Sequence, residues 1–287
     1  MIDQSEIIWG IIVPPLLMAV GMVTLGTLPI TQRYFSVGAW LALVYAVCHL
    51  GLRKWPSFGV NVHDWPVWIA LAIGALAWRG GCTTVPWWLR ALTRAVLISV
   101  AVWFMLRPQF VGMSTEVALL WSIGLVLPWV ITQLLWERAY QKLSPGAMTT
   151  GLALVALLSS VSLLLFNVLL HAQLAGIVTA TLVTVGVLTS LRPSWLMDRT
   201  IVTVVAMLLP ALWILGVRYA DLPIWGAGVL AVTGVVPWIT ASARLAARPV
   251  WQRLVLQVVA MLVVSSPIIV WGVVTTLRAM SEPEYGY

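Results

Sequence analysis

Residues 254–277 read LVLQVVAMLVVSSPIIVWGVVTTL and form the longest uncharged apolar run near the end of the sequence. Its 24 residues carry no charged side chain, and it lies between Arg253 and Arg278. About 20 apolar residues in a helix span a bilayer, because the hydrocarbon is about 30 Å thick and each helical residue rises about 1.5 Å. The stretch therefore predicts a transmembrane helix.

Nine similar runs precede it. The ten predicted spans are 7–30, 35–52, 65–78, 88–106, 116–136, 149–170, 173–191, 201–217, 222–239 and 254–277. Backbone polar groups facing lipid must be satisfied within their own element, which leaves the helix as the spanning structure here. We expect an all-α, polytopic transmembrane helical bundle of about ten helices. Its loops are short, and residues 1–287 form a single transmembrane domain with no soluble domain.

The composition agrees with this class. Of the 287 residues, 61% are hydrophobic and 9% are charged, and the mean hydropathy is +1.00. A soluble domain carries about 25% charged residues. The composition therefore excludes a cytosolic enzyme, a disordered chain and a secreted disulfide scaffold. The net charge of +7 comes from basic residues in short loops, so we expect anionic lipid headgroups at the cytoplasmic face as partners, and no nucleic acid.

The basic residues also predict the orientation. With ten spans, the side that holds both termini has five Lys and Arg residues and the other side has eleven. The positive-inside rule then places both termini outside the cytoplasm, in a plasma membrane or a bacterial inner membrane. Residues 1–6 contain two acids and no basic residue, so we expect no cleavable signal peptide and the first run to be retained.

Tryptophan is abundant, with 18 residues. Most lie near the ends of the predicted spans, where an indole reaches both apolar and polar surroundings. We therefore expect interfacial belts rather than a ligand cage. The residues assigned to belts are Trp9, Trp40, Trp65, Trp78, Trp87, Trp88, Trp103, Trp136, Trp195, Trp225, Trp238 and Trp251.

The residues typical of catalysis are sparse and scattered. All nine carboxylates fall in tails, loops or helix ends, which argues against a proton- or sodium-coupled carrier that works through a mid-span acid. His49, His63 and His171 lack the spacing of a metal motif, and interfacial anchoring is favoured over a site assembled across loops. Cys48 and Cys82 are predicted near opposite faces and so cannot pair. We expect no enzyme, no metal and no cofactor.

Arg90 and Arg94 are the basic residues placed deepest inside a predicted span. They are four residues apart and therefore share one helix face. The span before them, 65–78, is only 14 residues long. Two interpretations remain open: both side chains extend to lipid phosphates, or they line a cavity that attracts an anionic solute or lipid headgroup. Arg94 needs a phosphate, a carboxylate from a loop, or a ligand.

Prolines interrupt several spans, and broken helices often mark transporter sites. Together with nearby hydroxyls they suggest a midplane cavity, although proline is also common in membrane helices generally. The candidate residues are Pro14, Pro15, Ser159, Ser160, Pro210, Ser265, Ser266 and Pro267.

Two patterns concern packing. Ala172, Gly176, Ala180 and Thr184 recur at every fourth position and predict close approach of the seventh helix to another helix. Short similarities, such as RPSW at 192–195 and RPVW at 248–251, suggest weak two-helix repeats of roughly 55 residues.

The function that we expect is membrane transport. A permease or flippase for a small neutral, amphipathic or anionic solute fits ten helices with proline breaks. A non-catalytic membrane-embedded subunit that anchors a larger complex is the alternative, with other membrane subunits or a homo-oligomer as partners. A membrane enzyme acting on lipid-linked substrates would need acids, histidines or a metal in a set that we do not find.

Overall fold

The computed structural model describes residues 4–27, 36–53, 61–78, 86–191, 200–240 and 248–281. These residues form ten helices and no strand. Two helices are interrupted: α1 by a π-helical turn and α9 by the turn 234–236. The helices are α1 (Gln4–Ile7, the π turn Ile8–Ile12 and Val13–Thr27), α2 (Val37–Arg53), α3 (Trp65–Trp78, preceded by the 3₁₀ turn Val62–Asp64), α4 (Trp87–Phe110), α5 (Thr115–Tyr140), α6 (Pro145–Leu165), α7 (Leu169–Leu191), α8 (Thr200–Tyr219), α9 (Ile224–Thr233 and Pro237–Thr240) and α10 (Val250–Ser281).

Six of these helices, α4 to α8 and α10, are long and apolar enough to cross a membrane, which is consistent with an integral membrane protein. The helix class and the approximate number are as predicted. The bounds differ most at α6, which begins at Pro145 rather than at 149 because Ser144 accepts a hydrogen bond from the backbone N–H of Ala147. It ends at Leu165, so His171 lies in the first turn of α7 and not in a loop.

Helix α8 is the centre of the bundle. It contacts α2, α3, α5, α6, α7 and α9, and every side chain from Val204 to Leu215 is buried. A helix that is apolar on all sides is stable only when other helices surround it or lipid covers it. In contrast, α5 and α10 expose most of their apolar side chains.

Helices α6 and α7 form a tight antiparallel hairpin. Asn167 adopts a φ of 60° in the connection, and asparagine tolerates this left-handed conformation better than most residues. The Cβ position of Gly176 is 3.6 Å from Ser160 Oγ, and the same hydroxyl donates to the carbonyl of Ala172 at 2.7 Å. The small residues of α7 therefore pack against α6, as predicted.

Two of the tryptophans assigned to interfacial belts are buried instead. Trp136 is 0% exposed and donates its indole N–H to the carbonyl of Ala231 at 3.0 Å. Trp65 is 5% exposed and stacks on Phe104. Their positions near helix ends could not reveal that neighbouring helices cover them. Trp88, Trp103, Trp225, Trp238 and Trp251 are exposed.

The helices alternate in direction, so polar residues collect at two ends of the bundle. We call these the Arg94 end and the histidine end. The Arg94 end contains the start of α8, where Thr200 Oγ1 is 2.7 Å from Ser36 Oγ. The histidine end contains the last turn of α8, where the Tyr219 hydroxyl donates to the carbonyl of Met105 at 2.6 Å.

Candidate functional site

Arg94 forms an ion pair inside the bundle. Its Nη1 donates to Glu137 Oε1, and Thr203 Oγ1 donates to the same oxygen at 2.8 Å. Arg94 Nη2 also lies 3.5 Å from Thr203 Oγ1. The Arg94 and Glu137 side chains are 20% and 21% exposed. We call these three residues the Arg94 cluster.

Three helices supply the Arg94 cluster. Arg94 lies in the second turn of α4, Glu137 in the last turn of α5 and Thr203 in the first turn of α8. The sequence predicted that Arg94 needs a phosphate, a loop carboxylate or a ligand, and a carboxylate is present, supplied by a helix. Arg90 lies on α4 one turn earlier, but its side chain is outside the described residues.

A second polar group lies beside this cluster. Gln133 and Tyr140 are on α5, one turn before and one turn after Glu137, and both are buried. Among the described residues, Gln133 Nε2, Tyr140 Oη and Gln257 Oε1 have no hydrogen-bond partner. Tyr140 Oη and Gln257 Nε2 both lie within 3 Å of the point where a Cβ of Gly151 would be, so the two side chains face each other across this glycine. We call Gln133, Tyr140 and Gln257 the amide–phenol group.

A buried polar atom without a partner is unfavourable by about 1–3 kcal/mol, so native proteins retain few of them. The absence of a side chain on Gly151 lets Tyr140 Oη and Gln257 Nε2 approach the backbone of α6 closely. Two amides and a phenol can donate to or accept from a small polar molecule. No motif in the sequence marks this group, since the three residues come from α5 and α10.

The proposed midplane residues are not assembled at one place. Ser159 accepts from the indole N–H of Trp213 at 3.0 Å between α6 and α8, whereas Ser160 lies between α6 and α7. Ser265 is buried on α10 and donates to the carbonyl of Leu262. Ser266 and Pro267 are exposed on the same helix.

Near Pro210 and Pro267, the backbone carbonyls that lose their helical N–H donor accept hydrogen bonds from nearby side chains. Pro210 cannot donate to the carbonyl of Ala206, and the indole of Trp129 donates to it at 3.3 Å. Pro267 likewise frees the carbonyl of Val263, which accepts from Ser266 at 2.8 Å. In α1 the π turn Ile8–Ile12 directly precedes Pro14 and Pro15, and Val13 N–H reaches back five residues to Ile8. The hydrogen-bonding pattern of α1 thus changes where two successive N–H donors are missing.

The histidine end holds buried ionisable side chains, among them those of His49, Asp64 and His171. His49 Nε2 is 3.3 Å from Asp64 Oδ1, and their side chains are 0% and 8% exposed. The same Asp64 oxygen is 4.0 Å from Arg53 Nη1. His63 Nδ1 is 3.2 Å from His171 Nε2. We call His49, Asp64, His63 and His171 the histidine cluster.

Three helices build the histidine cluster. His49 lies near the end of α2, His171 in the first turn of α7, and His63 and Asp64 in the 3₁₀ turn before α3. Asn61 orders that turn, because its side chain accepts from the backbone N–H of His63 at 3.1 Å. The ring of Tyr219, from α8, contacts the edge of His63.

The electrostatic surroundings of His63 disfavour its charged form. Burial lowers the pKa of His63, and the positive charge of Arg53 lowers it further, while Asp64 acts in the opposite direction. His49 Nδ1 and His171 Nδ1 are buried and have no partner among the described residues. The sequence had placed the three histidines toward one side but favoured plain anchoring. The burial of Asp64 at a helix end was also not expected.

Within the described residues, no three His, Cys, Asp or Glu side chains are arranged to hold a metal ion. Cys48 is buried at the histidine end, and Cys82 lies outside the described residues. Comparisons with protein families, with curated proteins and with solved structures find no match to this chain.

Proposed function

We propose that the protein is an integral membrane permease for a small anionic or amphipathic solute, which the amide–phenol group and the Arg94 cluster bind together. The observation that carries this proposal is the set of buried, unpartnered polar atoms on Gln133, Tyr140 and Gln257, beside a partly exposed ion pair. A solute that hydrogen-bonds to these atoms would offset the unfavourable free energy of their burial. Arg94 would attract its negative charge.

The location of the clusters supports a two-sided barrier. Helix α8 supplies Thr203 to the Arg94 cluster and Tyr219 to the side of His63 at the other end. A shift of α8 would therefore disturb both ends at once. Alternating access moves one part of a transporter against another around the substrate site, and a movement of α8 would change the Arg94 cluster and the histidine end together.

The first experiment identifies the solute class. Purified protein in liposomes is tested by light scattering for permeability to glycerol, urea, acetate and lactate. Transbilayer movement of a fluorescent phosphatidylglycerol is followed by dithionite quenching. Faster entry of an anion, or faster lipid movement, than in protein-free liposomes supports a permease or a flippase. No acceleration of acetate, lactate or the lipid contradicts the proposal, whatever glycerol and urea do.

The second experiment separates function from packing. Tyr140→Phe removes a hydroxyl that has no partner among the described residues. Without bound solute, it should therefore raise the free energy of unfolding by about 1–3 kcal/mol. We expect this variant to be at least as stable as the wild type and yet to lose the flux found in the first experiment. Unchanged flux in a stable Tyr140→Phe protein would remove the amide–phenol group from the mechanism.

A glycine pair gives a steric control on the same helix. Gly151→Ala places a methyl group within 3 Å of Tyr140 Oη and Gln257 Nε2, so it should reduce the flux. Gly146→Ala meets no atom within 4 Å, so it should leave the flux unchanged. Equal effects of the two substitutions would mean that the close approach of Tyr140 and Gln257 to Gly151 does not matter for the flux.

The orientation is part of the proposal. We propose that both termini lie outside the cytoplasm, because the predicted cytoplasmic side holds eleven of the 16 basic residues. Reporter fusions after Tyr287 should be active outside the cytoplasm, and fusions at Lys142 should be active inside. A cytoplasmic C-terminus would contradict the assignment.

The second candidate function is a non-catalytic membrane subunit. It is favoured by α5 and α10, which expose most of their side chains over 26 and 32 residues. Purification in mild detergent distinguishes the two candidates. A fixed set of co-eluting proteins would favour the subunit, and a monomer or homodimer would favour the permease.

A further inference from the structure

We propose that His63 and His171 form a proton-transfer pair, through which protons enter the bundle from the histidine end and drive transport. The pair stands apart from the proposed solute site, at the opposite end of α8. It rests on the proposed function only in the statement that protons drive transport. Proton binding itself can be measured without any solute.

The geometry of the pair carries the inference. The two imidazole nitrogens are 3.2 Å apart, so in the neutral pair one carries the shared proton and the other accepts it. His63 is partly exposed, whereas His171 is 2% exposed. The pair thus joins the outside of the bundle to its interior through one hydrogen bond.

The interior side of the pair has buried polar atoms that can donate or accept a proton. His171 Nδ1 has no partner among the described residues, and neither has His49 Nδ1 or the hydroxyl of Tyr45. His49 and Tyr45 lie one turn apart on α2, which packs against α7. Buried polar atoms grouped in this way are normally satisfied by water, and water between α2 and α7 would receive a proton from His171.

The transfer takes up one proton at His63 and releases one from His171, and water between α2 and α7 accepts the released proton. A proton from solution bonds to His63 Nε2, and the proton on His63 Nδ1 moves to His171 Nε2. The proton on His171 Nδ1 then leaves toward α2. Each imidazole ends neutral in its other tautomer, and the hydrogen bond between the rings is reversed in direction.

The surrounding charges keep the imidazolium transient. Arg53 from α2 opposes a positive charge on His63, as does burial, and Asp64 favours it. His49 is held by Asp64 at 3.3 Å, and Tyr219 from α8 contacts the ring of His63. Because these effects on the His63 imidazolium oppose each other, a proton can bind to His63 and then move on through the pair.

The test is the charge displaced by a pH jump, recorded from liposomes on a solid-supported membrane with no solute present. We expect a transient current in the wild type that His63→Gln and His171→Gln reduce to the level of protein-free membranes. Ser162→Ala is the matched control, because its hydroxyl is also buried and unpartnered but does not titrate. It should keep the wild-type current. A wild-type current equal to that of protein-free membranes, or an unchanged current in both folded histidine variants, would overturn the proposal.

A second measurement needs no substitution. The chain has three histidines, so ¹⁵N-histidine labelling gives six side-chain nitrogen signals. We expect two histidines to take up one shared proton together as the pH falls. Three independent titrations would overturn the pair. Solute flux without a pH-jump current would leave the permease standing and remove the proton pathway, whereas a current without flux would do the opposite.

Discussion

The Arg94 end and the histidine end hold their charges in different ways. At the Arg94 end one ion pair lies between α4 and α5, and each side chain remains about one-fifth exposed. At the histidine end, His49 and Asp64 are almost completely enclosed, and Arg53 beside them is partly exposed. A partly exposed charge is stabilised by solvent as well as by its partner, whereas an enclosed charge depends on its partner alone. The histidine end should therefore be the less tolerant of substitution.

The largest effect is expected at Asp64. Asp64→Ala leaves His49 and Arg53 without their shared carboxylate, and loss of one partner of a buried pair destabilises by about 3–5 kcal/mol. Glu116→Ala is the control, because Glu116 is an exposed acid in the first turn of α5. Unfolding in increasing SDS, followed by tryptophan fluorescence, measures both. Similar midpoints for the two variants would show that the histidine end is not held by its carboxylate.

A smaller loss of stability is expected at the Arg94 end. Glu137→Ala removes a carboxylate that accepts two hydrogen bonds, which should cost about 1.5–3 kcal/mol because Arg94 can still reach polar surroundings. The same SDS unfolding assay applies. A loss larger than that of Asp64→Ala would reverse the comparison between the two ends.

Substitution of Arg94 tests function at the same end. Arg94→Ala should abolish the solute or lipid flux while the protein remains folded, and Arg94→Lys should restore it only partly. A lysine cannot bind Glu137 and Thr203 together with a planar fork. If Arg94 only extends to lipid phosphates, lysine will substitute freely and alanine will have little effect. Full flux in Arg94→Ala would exclude Arg94 from the mechanism.

A steric substitution tests how closely α8 is held. Gly38 on α2 lies so near α8 that a Cβ would be 2.6 Å from the backbone carbon of Thr200. Gly38→Ala should therefore destabilise the protein by about 1–3 kcal/mol. It should also displace Thr203, which lies one turn after Thr200 in α8. Gly124→Ala, on α5, meets no atom within 4 Å and should be neutral or slightly stabilising. Equal unfolding midpoints for the two variants would show that α2 and α8 can move apart at Gly38 with little loss of stability.

The last prediction involves no change in stability and concerns the labelling of Cys48. We expect this thiol to react only after the protein unfolds. Cys48 is fully buried beside His49. In a Cys82→Ser background, a soluble maleimide should not react with it until SDS is added, whereas an added Glu116→Cys should react at once. Rapid labelling of Cys48 in the folded protein would mean that the histidine end opens readily. A Cys48–Cys82 disulfide in the native chain would contradict the predicted positions of α2 and α3.

Much of the fold follows from local pattern. Length and apolar composition decide where a helix can span a bilayer, so α3 was predicted with the bounds that the structure has. Ser114 and Glu116 likewise marked the start of α5, where Ser114 Oγ accepts from Val117 N–H. The end of α6 was misplaced because Asn167 stops it, and an asparagine in an apolar run is a weak signal.

The clusters did not follow from local pattern. Composition and hydropathy were enough to predict the helical class, the approximate number of helices and an arginine in α4 that needs a partner. The tertiary structure decided that this partner is Glu137, that α8 is the central helix, and that His63 meets His171 from 108 residues away. Periodicity and composition indicate whether a segment forms a helix and which of its faces are apolar. Which side chains share a buried space depends on helix packing, and that is a property of many residues at once.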